Sequence, residues 1–252
     1  MARRNWSREE TILALYLYCK TPFGRIHKGN IEVIEFAELI GRTPSSFGLK
    51  MCNLAAVDPT LKQSGMSHGS KLDAEIFNEF YNNWEELAIQ AYSILKNLSP
   101  SNSLSQNIEK DIPSGADKVS VVKQRVGQDF FRTSVLASYD MQCCITGLSD
   151  SKLLIASHIK PWSRATDIEK TNPANGLCLN PFHDSLFDKG YISLDDDYKI
   201  ILSPKLRKIE TDSQTKEWLF QYEGKPIHLP RIKAFAPDLS FLEYHRDEIF
   251  LK

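Results

Sequence analysis

Three side chains near the middle of the chain could do chemistry together: His158, Asn175 and His183. They lie in Ser157-His158-Ile159-Lys160-Pro161-Trp162 and in Asn172-Pro173-Ala174-Asn175-Gly176-Leu177-Cys178-Leu179-Asn180-Pro181-Phe182-His183-Asp184, spaced 17 and 8 positions apart. Hydrolysis of a phosphodiester needs an activated water, a neutralised phosphate and a stabilised leaving oxygen. A histidine of near-neutral pKa can take the proton from water. A divalent cation held by a second histidine can neutralise the phosphate and the leaving 3′ oxygen. Only six histidines occur in 252 residues, and two of them stand where a compact metal-dependent nuclease needs them.

The surrounding pattern supplies elements to position this trio. Residues 128–139 read as a helix with Phe130, Phe131, Val135 and Leu136 as its apolar face. Residues 143–147 read as a short strand and turn. Residues 152–157 read as a strand that ends on His158, and Leu177-Cys178-Leu179 as a second short strand. Pro181 starts a helix that carries His183 and ends at Gly190. Residues 191–194 and 198–202 form a hairpin across Asp195-Asp196-Asp197. Strand, loop, strand and helix around the trio make a ββα arrangement.

These residues resemble the HNH nucleases of the ββα-metal fold, in the branch found in bacterial restriction-type endonucleases. The resemblance covers about residues 125–250. It extends to Cys144-Ile145-Thr146-Gly147, Leu186-Phe187-Asp188-Lys189-Gly190 and Phe241-Leu242-Glu243-Tyr244-His245-Arg246. It implies His158 as general base, Asn175 as the brace of the loop facing it, and His183 as a metal ligand. Many such enzymes place a ligand directly before the base, where this chain has Ser157. The nearby carboxylates are Asp184 and Asp188; Asp188, further along the helix from His183, is the second candidate ligand or else a structural cap. The implied cofactor is a divalent ion, Mg2+ or Mn2+. Adjacent Cys143-Cys144 and a lone Cys178 are not a four-thiolate spacing, so a structural Zn2+ is not expected. Lys160 and Arg164 follow the base in a loop, where cations commonly meet phosphates.

The N-terminal residues read as helices. Ser7 and Glu10 form a capping box at the start of a helix over 6–20. A second helix spans 31–40. After Gly41-Arg42-Thr43-Pro44 a third starts behind Thr43 and runs to Leu54. The pair resembles a helix-turn-helix, whose second helix would present Ser45, Ser46 and Asn53 to base edges, flanked by Arg42 and Lys50. A longer helix spans 73–95. Residues 97–118 are rich in Ser, Asn, Pro and Asp and read as a linker. The expected organisation is therefore α+β: a helical, helix-turn-helix-like domain over 1–96, a linker over 97–116, and a ββα-metal HNH nuclease domain over 117–252.

Composition bounds these readings. Hydrophobic residues make up 42% and charged residues 25%, which suits globular cores. The net charge is -1, unlike that of dedicated basic nucleic-acid binders. Residues 1–96 hold eleven basic and eleven acidic side chains, so no basic excess supports the helical part as a DNA reader. Five cysteines without a secretory leader suggest reduced thiols in the cytoplasm, and no apolar run approaches the ~20 residues of a membrane span. The expected partner is double-stranded DNA, with modified bases and a homodimeric assembly in view. The competing expectation is a helix-turn-helix regulator with a degenerate nuclease fold.

Overall fold

The computed structural model describes residues 4–58, 70–99, 103–110, 112 and 117–252. Helix α1 (Arg8–Lys20) opens on the Ser7/Glu10 capping box. Ten consecutive residues from Glu10 to Cys19 are buried in it. A helix enclosed on every side sits at the centre of its core rather than on one edge. Around α1 pack α3 (Pro44–Ala56), α4 (Lys71–Phe80), α5 (Trp84–Leu98) and α7 (Lys118–Ser138), with α2 (Ile31–Leu39) against α3. Pro44 at the start of α3 and the Thr43 side chain on the Ser46 N–H fix where that helix begins.

The single helix expected over 73–95 is two. Asn82 adopts a φ of 60° and the chain turns between α4 and α5. Asn is among the few non-glycine residues that enter this left-handed region readily. Within the stretch read as a linker, Ser103–Glu109 forms α6, and its Ile108 is buried among the helices.

Helix α7 begins at the Asp117 cap and is longer than the sequence pattern suggests. Its Val126 and Phe130 belong to the helical core, whereas Phe131, Val135 and Leu136 belong to a second core around the trio. Ile232, Ala234 and Phe235 return from the C-terminal part to the first core, where the Phe235 ring meets Trp84 edge-on at 5.1 Å.

In the second core β1 (Ile155–His158) pairs antiparallel with β2 (Gly176–Leu179), with Ser157 opposite Leu177 and His158 opposite Gly176. The strand starts later than expected because Asp150 caps a 3-10 turn over Ser151–Leu153. Residues 143–147 form a turn, tied to β2 by the Cys144 N–H on the Cys178 carbonyl at 2.7 Å. Short α8 (Asp167–Thr171) lies between the strands in sequence, and α9 (Pro181–Asp188) follows β2. The expected hairpin is present as β3 (Ile192–Leu194) and β4 (Ile200–Leu202). Helices α10 (Ser213–Phe220) and α11 (Leu239–Glu248) complete the chain. The whole is mixed α+β, with a mostly helical N-terminal part and small two-stranded sheets near the trio.

Two glycines set close approaches. A Cβ on Gly176 would stand 2.5 Å from Val135 and 3.0 Å from the Phe131 ring, so β2 lies directly on α7. Gly190 has a φ of +71°, and a Cβ there would stand 2.1 Å from the Ile249 carbonyl. Among the described residues no helix is long and apolar enough to cross a membrane.

Candidate active site

His158 ends β1, half-buried. Its ring stacks on Phe131 at 3.8 Å, with 9° between the planes, and meets Trp162 edge-on at 5.7 Å. Nε2 lies 3.0 Å from the Lys170 carbonyl. A carbonyl only accepts, so in the neutral ring Nε2 carries the proton and Nδ1 keeps the lone pair. Burial pushes the imidazole below its ordinary pKa, and the Lys170 carbonyl opposes that shift. The ring is thus held neutral, with one nitrogen free to take a proton.

Asn175 is fully buried in the 3-10 turn before β2. Its Oδ1 accepts from the Lys160 N–H at 2.8 Å, and its Nδ2 donates to the carbonyls of Lys160 at 3.1 Å and Glu169 at 3.2 Å. The Ile159 N–H adds a bond to the Asn175 carbonyl at 2.9 Å. One side chain therefore joins the loop after His158 to the end of α8, whose Lys170 carbonyl orients His158.

His183 is in the first turn of α9, with only 5% of its surface exposed. Asn180 Oδ1 accepts from the Phe182 and His183 N–H groups and lies 3.2 Å from His183 Nδ1. That places the proton on Nδ1 and the lone pair on Nε2, the form a metal ligand needs. Burial lowers its pKa to about 4, so the ring stays neutral at physiological pH. Phe182, Trp218 and Tyr222 surround it, with centroids at 5.6, 6.2 and 5.5 Å.

Successive side chains alternate across a strand. Ser157 turns toward α9, where its hydroxyl meets Asp184, while His158 turns toward α7. Burial raises the Asp184 pKa, the Ser157 hydroxyl lowers it, and the nearby Asp188 raises it again. Asp188 itself is exposed at the end of α9. The side chains of His158, Asn175 and His183 make no hydrogen bond or ring contact with one another among the described residues. The backbone of the β1–β2 pair and α9 holds them. Among the described residues no group of three or more His, Cys, Asp or Glu side chains gathers to hold a metal ion.

The expected DNA-contacting residues divide into three groups. Lys50 is 3% exposed, its ammonium paired with Asp73 and 4.9 Å from the Trp6 ring centre. Arg42 bonds the Arg4 and Asn5 carbonyls and Glu10, and stacks on Trp6 at 4.2 Å. Both cations are paired within the protein, and both also line the groove beside α3. Lys160 is paired with both carboxylate oxygens of Glu169 at 2.8 Å. Ser45 and Arg164 are exposed, and Ser46 and Asn53 half-exposed. Ser46 and Asn53 line an open groove of about 940 Å³ that also holds Arg4, Trp6, Leu49 and Lys71.

Two partners of the trio escape the sequence reading. Asn180 has a visible signal, an Asn directly before a proline that starts a helix, and the Lys170 carbonyl, a backbone group, has none at all.

Comparison with known proteins bears on the same segment. Residues 143–195 match the family model described as HNH endonuclease. No curated protein matches the sequence. Among solved structures the chain is similar to one described as a modification dependent TagI restriction endonuclease. That similarity has 18% identity and a TM-score of 0.30, and covers 59% of this chain and 43% of that one. The chain thus spans less than half the length of that protein. The family match to HNH endonucleases brackets all three members of the trio and covers residues 143–195 of the chain.

Proposed function

We propose that this chain is a metal-dependent endonuclease that hydrolyses phosphodiester bonds in double-stranded DNA, in a restriction or defence role. The observation that carries the reading is the pair of oppositely arranged imidazoles. His158 is held through Nε2, which leaves the lone pair on Nδ1, and His183 is held through Nδ1, which leaves the lone pair on Nε2. His158 takes the proton of the attacking water, and Asn175 keeps the loop and the Lys170 carbonyl in register behind it.

HNH nucleases generally use a divalent metal ion. The donor chemistry here fits one: His183 offers a neutral nitrogen, Asp184 a half-buried carboxylate, and Asp188 further negative charge. Mg2+ commonly takes one or two protein ligands and keeps several waters, so the want of a three-residue cluster does not conflict with it. When bound, such an ion supplies charge neutralisation at the phosphate and the leaving oxygen.

The helical part would read DNA through the groove beside α3, where Trp6 and the exposed Leu49 adjoin Ser46 and Asn53. This suits a base carrying an added group. One HNH site cuts one strand, so a double-strand cut would favour two copies acting together, as in a homodimer. The test uses supercoiled plasmids of different methylation with Mg2+ or Mn2+, with and without chelator. Nicked or linear product that disappears with chelator supports the reading. DNA binding without product under every condition overturns it. That outcome favours a helix-turn-helix regulator with a degenerate nuclease fold, a reading motivated by Ser157 in the ligand position.

A further inference from the structure

Helix α10 buries no residue of its own, yet it carries a tryptophan. Trp218 is 43% exposed and Phe182 is 39% exposed. Their rings touch each other, with centroids 4.3 Å apart and planes at 49°. The helix packs on the second core through Phe220, but Trp218 is not among the side chains packed there. Trp218 also adjoins His183, and Phe182 precedes His183 in α9. Tyr222, just beyond α10, completes the aromatic border of that histidine, with the Lys225 ammonium 5.7 Å from its ring centre.

We propose that Trp218 and Phe182 form a stacking platform for one base of the DNA strand being cut. The base would belong to the nucleotide next to the scissile phosphate. This rests on the endonuclease reading, which puts that phosphate at His183. Every base presents a π-face, so an aromatic platform holds a nucleotide without reading its identity. The apolar rings suit the flat base, and Lys225 at the border suits the phosphate that continues the strand. The platform therefore sets the position of the strand over the catalytic histidines, while sequence choice is made elsewhere in the protein.

The experiment uses the full chain. The cut position is first mapped on plasmid. Duplex oligonucleotides are then made with 2-aminopurine at each position within three nucleotides of the cut. In metal-free binding the wild-type protein should change the fluorescence strongly at one position beside the cut. Trp218→Ala should abolish that change and Trp218→Phe should restore most of it. In cleavage, Trp218→Ala should raise KM about tenfold, in the range of one lost base stack, with kcat changed much less. Because Trp218 is exposed, the variant should melt as the wild type does. If wild-type protein cuts but Trp218→Ala keeps KM and the 2-aminopurine signal, the platform is overturned and the endonuclease reading stands. If wild-type protein cuts no DNA, both fall together.

Discussion

Replacing Asn175 by alanine removes three hydrogen bonds at once, and their cost can be worked out. The Lys160 N–H and the Lys160 and Glu169 carbonyls would lose their partners at 2.8, 3.1 and 3.2 Å. A buried backbone group left unpaired costs about 1–3 kcal/mol. Lys160 is half-buried and water reaches part of this loop, so the low end applies to each group and the sum is about 3 kcal/mol. At about 2–4 °C per kcal/mol for a protein of this size, Asn175→Ala should melt roughly 6–12 °C below wild type. Asn175→Asp keeps an acceptor for the Lys160 N–H but loses both donors and buries a charge, so it should fall at least as far. Urea and thermal melts followed by far-UV circular dichroism give the stability. Cleavage measured well below the melting point should drop as well, because the Lys170 carbonyl then no longer fixes His158. A variant within about 0.5 kcal/mol of wild type would refute the brace, since surface-like changes stay in that range. So would a destabilised variant that cleaves at the wild-type rate.

Three further outcomes follow from the same geometry. Lys50→Met strands a buried Asp73 carboxylate and should cost about 3–5 kcal/mol in a urea melt, whereas Lys50→Met with Asp73→Leu should recover most of it; equal losses in both would contradict this. His183 and His245 are buried neutral with pKa values lowered to about 4. The unfolded chain binds their protons first, so stability should hold above pH 6.5 and fall as pH drops from there through about 4. A flat melting temperature across that window would count against their burial. Gly190→Ala, with a positive φ and a Cβ 2.1 Å from the Ile249 carbonyl, should unseat the C-terminal residues, read as faster proteolysis of the tail.

The sequence shows local features well and long-range ones poorly. The Ser7/Glu10 box, the Thr43-Pro44 start and the Asn180-Pro181 start act within one helical turn, and the structure places helices behind each. The trio is legible because its order and flanks match a known nuclease pattern. The break at Asn82 was hidden because Phe77, Phe80 and Trp84 continue an apolar stripe through it. Lys50 and Arg42 read as exposed cations because their partners, Asp73, Glu10 and Trp6, come from other elements. His245 lies on α11, in the C-terminal segment of the resemblance. It is buried, donating through Nε2 to the Phe187 carbonyl at 3.0 Å and bonded by Ser193 at Nδ1 at 2.8 Å. Such pairings depend on distant segments meeting, which spacing along the chain does not encode.

The central claim is that His158 acts as the base of a metal-dependent endonuclease. The direct measurement is single-turnover cleavage of supercoiled plasmid by wild type and by His158→Ala, with Mg2+ or Mn2+ saturating and DNA binding measured in parallel. The account predicts unchanged DNA binding and a rate lower by about 10²–10⁴, the usual contribution of a positioned acid–base group. Cleavage by His158→Ala at the wild-type rate would contradict it.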